Sequence, residues 1–345
     1  MLVSALSQAF VAFTIEADNE FETRMPHRTA ADRADATKTG PWLTSLTYWQ
    51  NYLRHLPAAG LPTRTLARIA GDDVASMTSR LGELRRWGYV RVLPGDDAAE
   101  RIVQPTRAGN LARDTWEPIE PLIEERWRRR FGDAVDALHT ALTELVAGED
   151  LPFGFPILAW DRATTLHRPA EPAAIRPGLS SLLARALVLL ALDFDHNSIL
   201  SLATTANLLP SLGSAVPLRE LPALTGLSKE AIAIGVGRLV RADLAVERET
   251  PKLIELTLRG RRIAKTASAQ LTELEERWSA RTEDVASALS GIVGPALALG
   301  LEPPADGWRA RAPYLAQTRA ILADPVAALP RFPMVSHRGG YPDGC

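Results

Sequence analysis

Cysteine is almost absent from this chain of 345 residues: a single one, Cys345, stands at its last position. An internal disulfide and a cysteine zinc site are both excluded by that count, and a reducing, cytoplasmic setting fits it. A basic excess is also missing. The formal net charge is -2, so any contact with nucleic acid has to come from a local patch. The first fifteen residues hold no Lys or Arg, which leaves the apolar start without the basic flank of a signal peptide. The longest apolar run, Ala186 to Leu192, falls far short of the ~20 residues that span a bilayer, so no membrane is expected as a partner. A Gly-rich phosphate loop, H-E-x-x-H and G-x-S-x-G are all lacking. No catalytic residue, cofactor or metal is assigned, and an enzyme is not expected.

What is present is a core-forming composition, 46% apolar and 23% charged, in a length that suits about two domains of ~150 residues. Self-comparison explains the two. "LPTRTLARIAGDDVASMTSRLGELRRWGYVRV" from Leu61 aligns without a gap to "VPLRELPALTGLSKEAIAIGVGRLVRADLAVE" from Val216, pairing Gly71 with Gly226, Gly82 with Gly237 and Leu84 with Leu239. Farther on, "TRAG" at Thr106 pairs with "TLRG" at Thr257, and "EERW" at Glu124 with "EERW" at Glu275. These later pairs sit four residues closer, and the deletion falls in "RWGYVRVLPGDDAAERIVQPTRAG", where a surface hairpin tolerates it.

In the first copy an apolar helix is expected from about Val3 to Glu20 and a second from Pro41 to about His55. A short helix follows over Arg64 to Ala70, then a turn in which Asp72 or Asp73 can cap a helix running to Trp87. Val74, Met77, Leu81 and Leu84 give that helix one apolar face at 3.6 periodicity. Two β-rich runs around Pro-Gly-Asp then predict a hairpin, and a helix from Thr106 to about Ala147, broken near Pro118 and Pro121 or at Gly132, closes the unit.

Two helices joined by a tight turn and followed by a hairpin describe a winged helix-turn-helix. The order of elements, with "GLSKEAIAIGVGRLVRADLAVE" at Gly226, "RLGELRRWGYVRV" at Arg80 and a Thr-x-x-Gly after each hairpin, resembles the MarR-type transcription regulators. The chain looks like their duplicated, single-chain actinobacterial form, in which phrases such as "TIEADNEFETRMPHRT" and "HRGGYPDG" also occur. The resemblance implies a mainly α fold with short β-hairpin wings, in which two tandem winged helix-turn-helix repeats form a pseudo-dimer. Its divisions are a first repeat over 1–150, a linker over 151–178, a second repeat over 179–300 and a Pro-rich extension over 301–345, which is expected to wrap the body as an irregular segment or to be partly disordered. The function implied is transcription regulation by binding double-stranded DNA under control of a small hydrophobic effector, as a monomeric pseudo-dimer or a homodimer.

On a helical wheel the first recognition helix turns Ser76, Ser79, Arg80, Glu83 and Arg86 away from its apolar face, and Arg and Ser are groove-reading donors. Arg64 and Arg68 on the preceding helix, with Arg91 and Arg101 in the wing, supply phosphate contacts. Glu83 and the acidic wing tip Asp96, Asp97 and Glu100 oppose them. The second helix presents Ala231, Ile234, Gly235 and Arg238, a face for close packing or one degraded after duplication.

For the effector, Trp42, Trp49 and Tyr52 are expected on one helix face, and the family's arrangement brings Glu16, Asp18 and His27 nearest to them. The acids Glu16, Asp18, Glu20 and Glu22 otherwise read as a solvated helix end, and the loop histidines His27 and His337 as structural or exposed. Two other readings stand beside regulation. One is a tandem winged-helix DNA glycosylase, against which the chain lacks a Gln-x-Gln or Gln-x-Asp pair; the other is a small-molecule-binding protein that does not touch DNA.

Overall fold

The computed structural model describes residues 1–28, 40–151, 177–249, 252–312 and 314–334, the side chains of Ser76 and Glu249 excepted. Over these the chain is mainly helical, with two three-stranded antiparallel sheets. The expected linker lies almost wholly outside the described residues, as do His337 and Cys345.

Helix α1 (Leu2–Arg24) is buried without interruption from Leu6 to Asn19. A helix covered on all sides has to sit in the interior, and α1 packs on α8 (Leu179–Asn197), which is covered almost as fully. Among the described residues no single helix is long and apolar enough to cross a membrane.

After α1 come α2 (Leu46–Asn51), β1 (Leu61–Pro62), α3 (Thr63–Ala70), α4 (Val74–Trp87), β2 (Val90–Leu93) and β3 (Ile102–Pro105). Then α5 (Arg107–Trp116), α6 (Ile119–Phe131) and α7 (Ala134–Leu145) follow. The helix expected from Pro41 starts five residues later. Pro41 and Leu43 are tied to Arg28 by backbone hydrogen bonds of 2.9 and 3.0 Å, which hold Trp42 in an extended stretch. The expected breaks in the last helix fall at Pro118, before α6, and at Gly132, whose φ of +61° ends it.

The same order recurs after α8: α9 (Leu202–Asn207), β4 (Val216–Pro217), α10 (Leu221–Thr225), α11 (Lys229–Arg241), β5 (Ala245–Glu249), β6 (Lys252–Leu256), α12 (Leu258–Trp278) and α13 (Glu283–Ser290). The strand orders correspond, β1-β3-β2 and β4-β6-β5, and the shorter second hairpin carries the four-residue deletion. The Thr-x-x-Gly motif has one physical job in both series. Thr106 and Thr257 cap α5 and α12 by accepting from the amides of Gly109 (3.0 Å) and Gly260 (2.9 Å). A Cβ on either glycine would lie 2.1 Å from the Tyr89 carbonyl oxygen or 1.8 Å from that of Leu244. The two series meet through α1 on α8 and α7 on α13.

The last stretch lies against the body, as one of the two expected alternatives has it, but it holds regular helices where an irregular path was expected. Through Met334 it is folded and packed, with α14 (Leu315–Ala323), α15 (Pro325–Ala328) and a final segment that buries Leu329, Phe332 and Met334. Proline ends helices here without leaving the chain unpacked, because polar side chains of α1 and α9 take up the free backbone groups.

Candidate functional site

Helix α4 buries Met77, Leu81 and Leu84 and exposes Thr78, Ser79, Arg85 and Arg86. The β2–β3 hairpin lies beside it. Between them runs a groove of about 130 Å³ lined by Thr78, Gly82 and Arg85 from the helix, Val92, Ala98 and Arg101 from the hairpin, and Thr63 at the start of α3. Arg101 is exposed at this groove and Arg68 on α3 is exposed, whereas Arg91, next to the groove-lining Val92 on β2, points to the opposite side of the hairpin. Thr78 and Arg85 do not figure in the sequence reading, although Thr78, Gly82 and Arg85 recur at i, i+4 and i+7, a stripe that the helical wheel already contains.

Several of the expected DNA contacts are engaged within the protein, among them Arg91, which donates to Gln104 Oε1 at 2.9 Å. Arg64 forms an ion pair of 2.7 Å with Glu100 at the hairpin tip, and Asp97 there accepts from the amides of Ala99 (2.7 Å) and Glu100 (2.9 Å). Part of the acidic tip is therefore turn chemistry and local neutralisation. Arg80 departs further from expectation, since it is half-buried and hydrogen-bonds Tyr52 instead of facing outward. Burial pushes the phenols of Tyr48 and Tyr52 well up, helped by the carboxylates of Glu83 and Asp72 that accept from them. Arg80 offsets those carboxylates and is held in its charged form by the group it joins. It braces α4 against α2.

The corresponding face of α11 is different. Ala231 and Gly235 are buried, Ala233 and Ile234 are exposed, and Arg238 is half-buried. Ala231 and Gly235 therefore face the interior and not an open groove. A Cβ on Gly237 would meet only the flexible end of Arg241, so nothing in the structure requires glycine there.

The aromatic group separates into three places. Trp42 lies before α2, under the guanidinium of Arg28 at 4.8 Å from its ring centre. Tyr52 belongs to the Arg80 network, and Trp49 stacks toward Trp116 at 6.0 Å. Trp49 alone of the three lines a cleft of about 530 Å³, together with Arg54, Arg113, Glu120, Pro121, Glu124 and His139. Within it the guanidinium of Arg54 lies 4.7 Å over the Trp49 ring, and burial lowers its pKa. Glu120 accepts from Gln50 (2.8 Å) and from Ser180, and burial raises its pKa. Trp49 Nε1 and Arg54 Nε are buried donors with no hydrogen-bond partner among the described residues.

Glu16, Asp18 and His27 do not reach that cleft, and the acids of α1 are not a solvated face. Glu16 takes two bonds of 3.1 Å from Arg130 and one of 3.1 Å from Trp127 Nε1. Asp18 caps α2 through the Leu46 amide (2.8 Å) and pairs with Arg309 at 3.3 Å. Glu22 accepts from the Trp308 amide (2.9 Å) and faces His27 Nε2 at 3.3 Å. Glu20 pairs with Arg24 and Arg126. Arg24 lies one helical turn from Glu20 and His27 is close by, but Arg126, Trp127 and Arg130 of α6 and Trp308 and Arg309 of the C-terminal stretch come from too far along the chain for local spacing to reveal. Among the described residues no group of three or more His, Cys, Asp or Glu could hold a metal ion.

Comparisons of the chain with protein-family models, with curated proteins and with solved structures find no match.

Proposed function

We propose that the chain is a double-stranded DNA-binding regulator of MarR type, built from two tandem winged helix-turn-helix units in one polypeptide, and that its first unit reads DNA. The observation that carries this reading is the α4–hairpin groove: a helix with exposed Thr78, Ser79, Arg85 and Arg86 stands beside a hairpin carrying Arg101. Arginine and hydroxyl donors on a helix fit base edges in a major groove, and arginines on the flanking hairpin and on α3 fit phosphates. In this arrangement α1 on α8 and α7 on α13 take the place of a dimer interface.

Electrophoretic mobility shift with DNA from upstream of the protein's own coding region tests the reading. Arg86→Ala is expected to weaken a specific site by about 1–3 kcal/mol, or roughly 5- to 150-fold. Arg80→Ala should chiefly lower the urea midpoint, because it unties α4 from Tyr52. Equal affinity of wild type and Arg86→Ala for every DNA tried would end the proposal.

A second role, control by a small molecule, is supported by the Trp49 cleft, two of whose lining residues, Trp49 and Arg54, each carry a buried donor without a partner among the described residues. No comparable observation favours base excision, and a base-release assay on damaged duplexes is the measurement that would bring it back.

A further inference from the structure

In the second unit the starts of α10 and α11 face the chain's own C-terminal stretch across a cleft, with Arg219, Lys229 and Glu230 exposed at its rim and the turn from Gly226 to Ser228 buried. The cleft, of about 300 Å³, is lined on one side by Arg219 and Pro222 at the start of α10 and by Ser228, Lys229 and Glu230 at the start of α11. Tyr314, Ala316, Gln317 and Ala320 line the other side. Helix amino ends are where a helix-turn-helix meets phosphates, because free amides and the helix dipole point there. A DNA backbone approaching this unit meets α14 instead.

The contact is built into the turn itself. Gly226 has a φ of +71°, and a Cβ there would stand 2.3 Å from the Ala328 carbonyl oxygen and 2.8 Å from Pro330 N. Glycine therefore does more here than relax the turn: it admits another segment's backbone. The Gly226 carbonyl accepts from Gln317 Nε2 at 2.7 Å. Beyond it, Asn207 grips Phe332 by both backbone groups at 3.0 Å, while Ser7 and Gln8 of α1 donate to the carbonyls of Pro330 (2.8 Å) and Val326 (2.7 Å). Leu329 and Phe332 are buried. Side-chain amides that satisfy a segment's backbone while its apolar residues enter the core form a specific receptor for that segment.

We infer that residues 303–334 are the resident occupant of the second helix-turn-helix, a strap that excludes nucleic acid from α10 and the start of α11 and leaves DNA reading to the first unit. The inference rests on the DNA-reading proposal above. It also gives the exposed Ala233 and Ile234 of α11 a reason to carry no donors.

The test uses the full chain with Cys345→Ser, a photocrosslinker on Ser79→Cys or Ala233→Cys, and a protease site inserted at exposed Ala305 for cleavage after folding. In the intact chain Ser79→Cys should crosslink to duplex DNA and Ala233→Cys should not. After cleavage the strap fragment should co-elute with the body. Adding Asn207→Ala and Gln317→Ala should speed its loss at least tenfold, raise amide exchange over 221–230 with no change over α4, and allow crosslinking from Ala233→Cys. Crosslinking from Ala233→Cys in the intact chain, or none after the strap is lost, overturns the inference. If neither position crosslinks in the intact chain, the DNA-reading proposal fails, and exchange over 221–230 on strap loss still decides whether the strap occupies the turn.

Discussion

Glu16 and Arg130 face one another through two hydrogen bonds of 3.1 Å, one to each carboxylate oxygen, with Glu16 buried beneath α6. Planar pairing of this kind is the strongest form of the interaction, and Trp127 Nε1 adds a third donor. Removing one partner leaves the other charge buried and uncompensated. Glu16→Gln is therefore expected to cost about 3–5 kcal/mol in urea unfolding, and Glu16→Gln with Arg130→Met together should cost less than Glu16→Gln alone. A loss below about 1 kcal/mol for the single change would show that Arg130 finds water or another acceptor.

That pair also marks the limit of what sequence could tell. The helix restart at Thr-x-x-Gly, the breaks at Pro118 and Gly132 and the hairpin were legible because each depends on neighbours within a few residues. The acids of α1 were not, since Arg130, Trp308 and Arg309 arrive from helices far along the chain and turn an apparently solvated end into an interior one. Arg80 was misplaced for the same reason: a helical wheel records the angle of a residue, and α2 happens to lie at that angle with Tyr52. The α4–hairpin face was legible in outline and incomplete in detail, with Thr78 and Arg85 added by the groove.

Stability should depend on pH through two groups of opposite sign. Burial pushes His55 down from 6.5 to about 4, aided by Arg54 beside it. Its neutral form belongs to the fold, so the stability it contributes is present above 6.5 and lost as pH falls from there toward 4, on the order of 2–3 kcal/mol in all. Asp18 behaves oppositely. Burial raises it to about 7 against the pull of Arg309, so its contribution is present below 3.8 and lost as pH rises toward 7. Wild type should consequently show a shallow profile between pH 4.5 and 6.5, and His55→Phe should expose the Asp18 slope, growing less stable as pH rises. A His55→Phe profile parallel to wild type would remove His55 from the account.

The Trp49 cleft supports the last prediction. Trp49 Nε1 and Arg54 Nε are donors without acceptors among the described residues, and a buried donor left unmatched costs about 1–3 kcal/mol. A ligand that carries an acceptor and an apolar body would recover part of that cost while covering the Trp49 ring and Pro121. Binding here can alter DNA affinity only by favouring one relation of α5 and α6 to the α4–hairpin face, which α2 connects through Trp49 on one side and Tyr48 and Tyr52 on the other. Calorimetric titration with small hydrophobic carboxylates should therefore give a ligand whose affinity falls about 10- to 100-fold in both Trp49→Leu and Arg54→Ala, and whose addition changes the mobility shift of wild type. A ligand that releases DNA yet binds Trp49→Leu with unchanged affinity would place the effector site elsewhere.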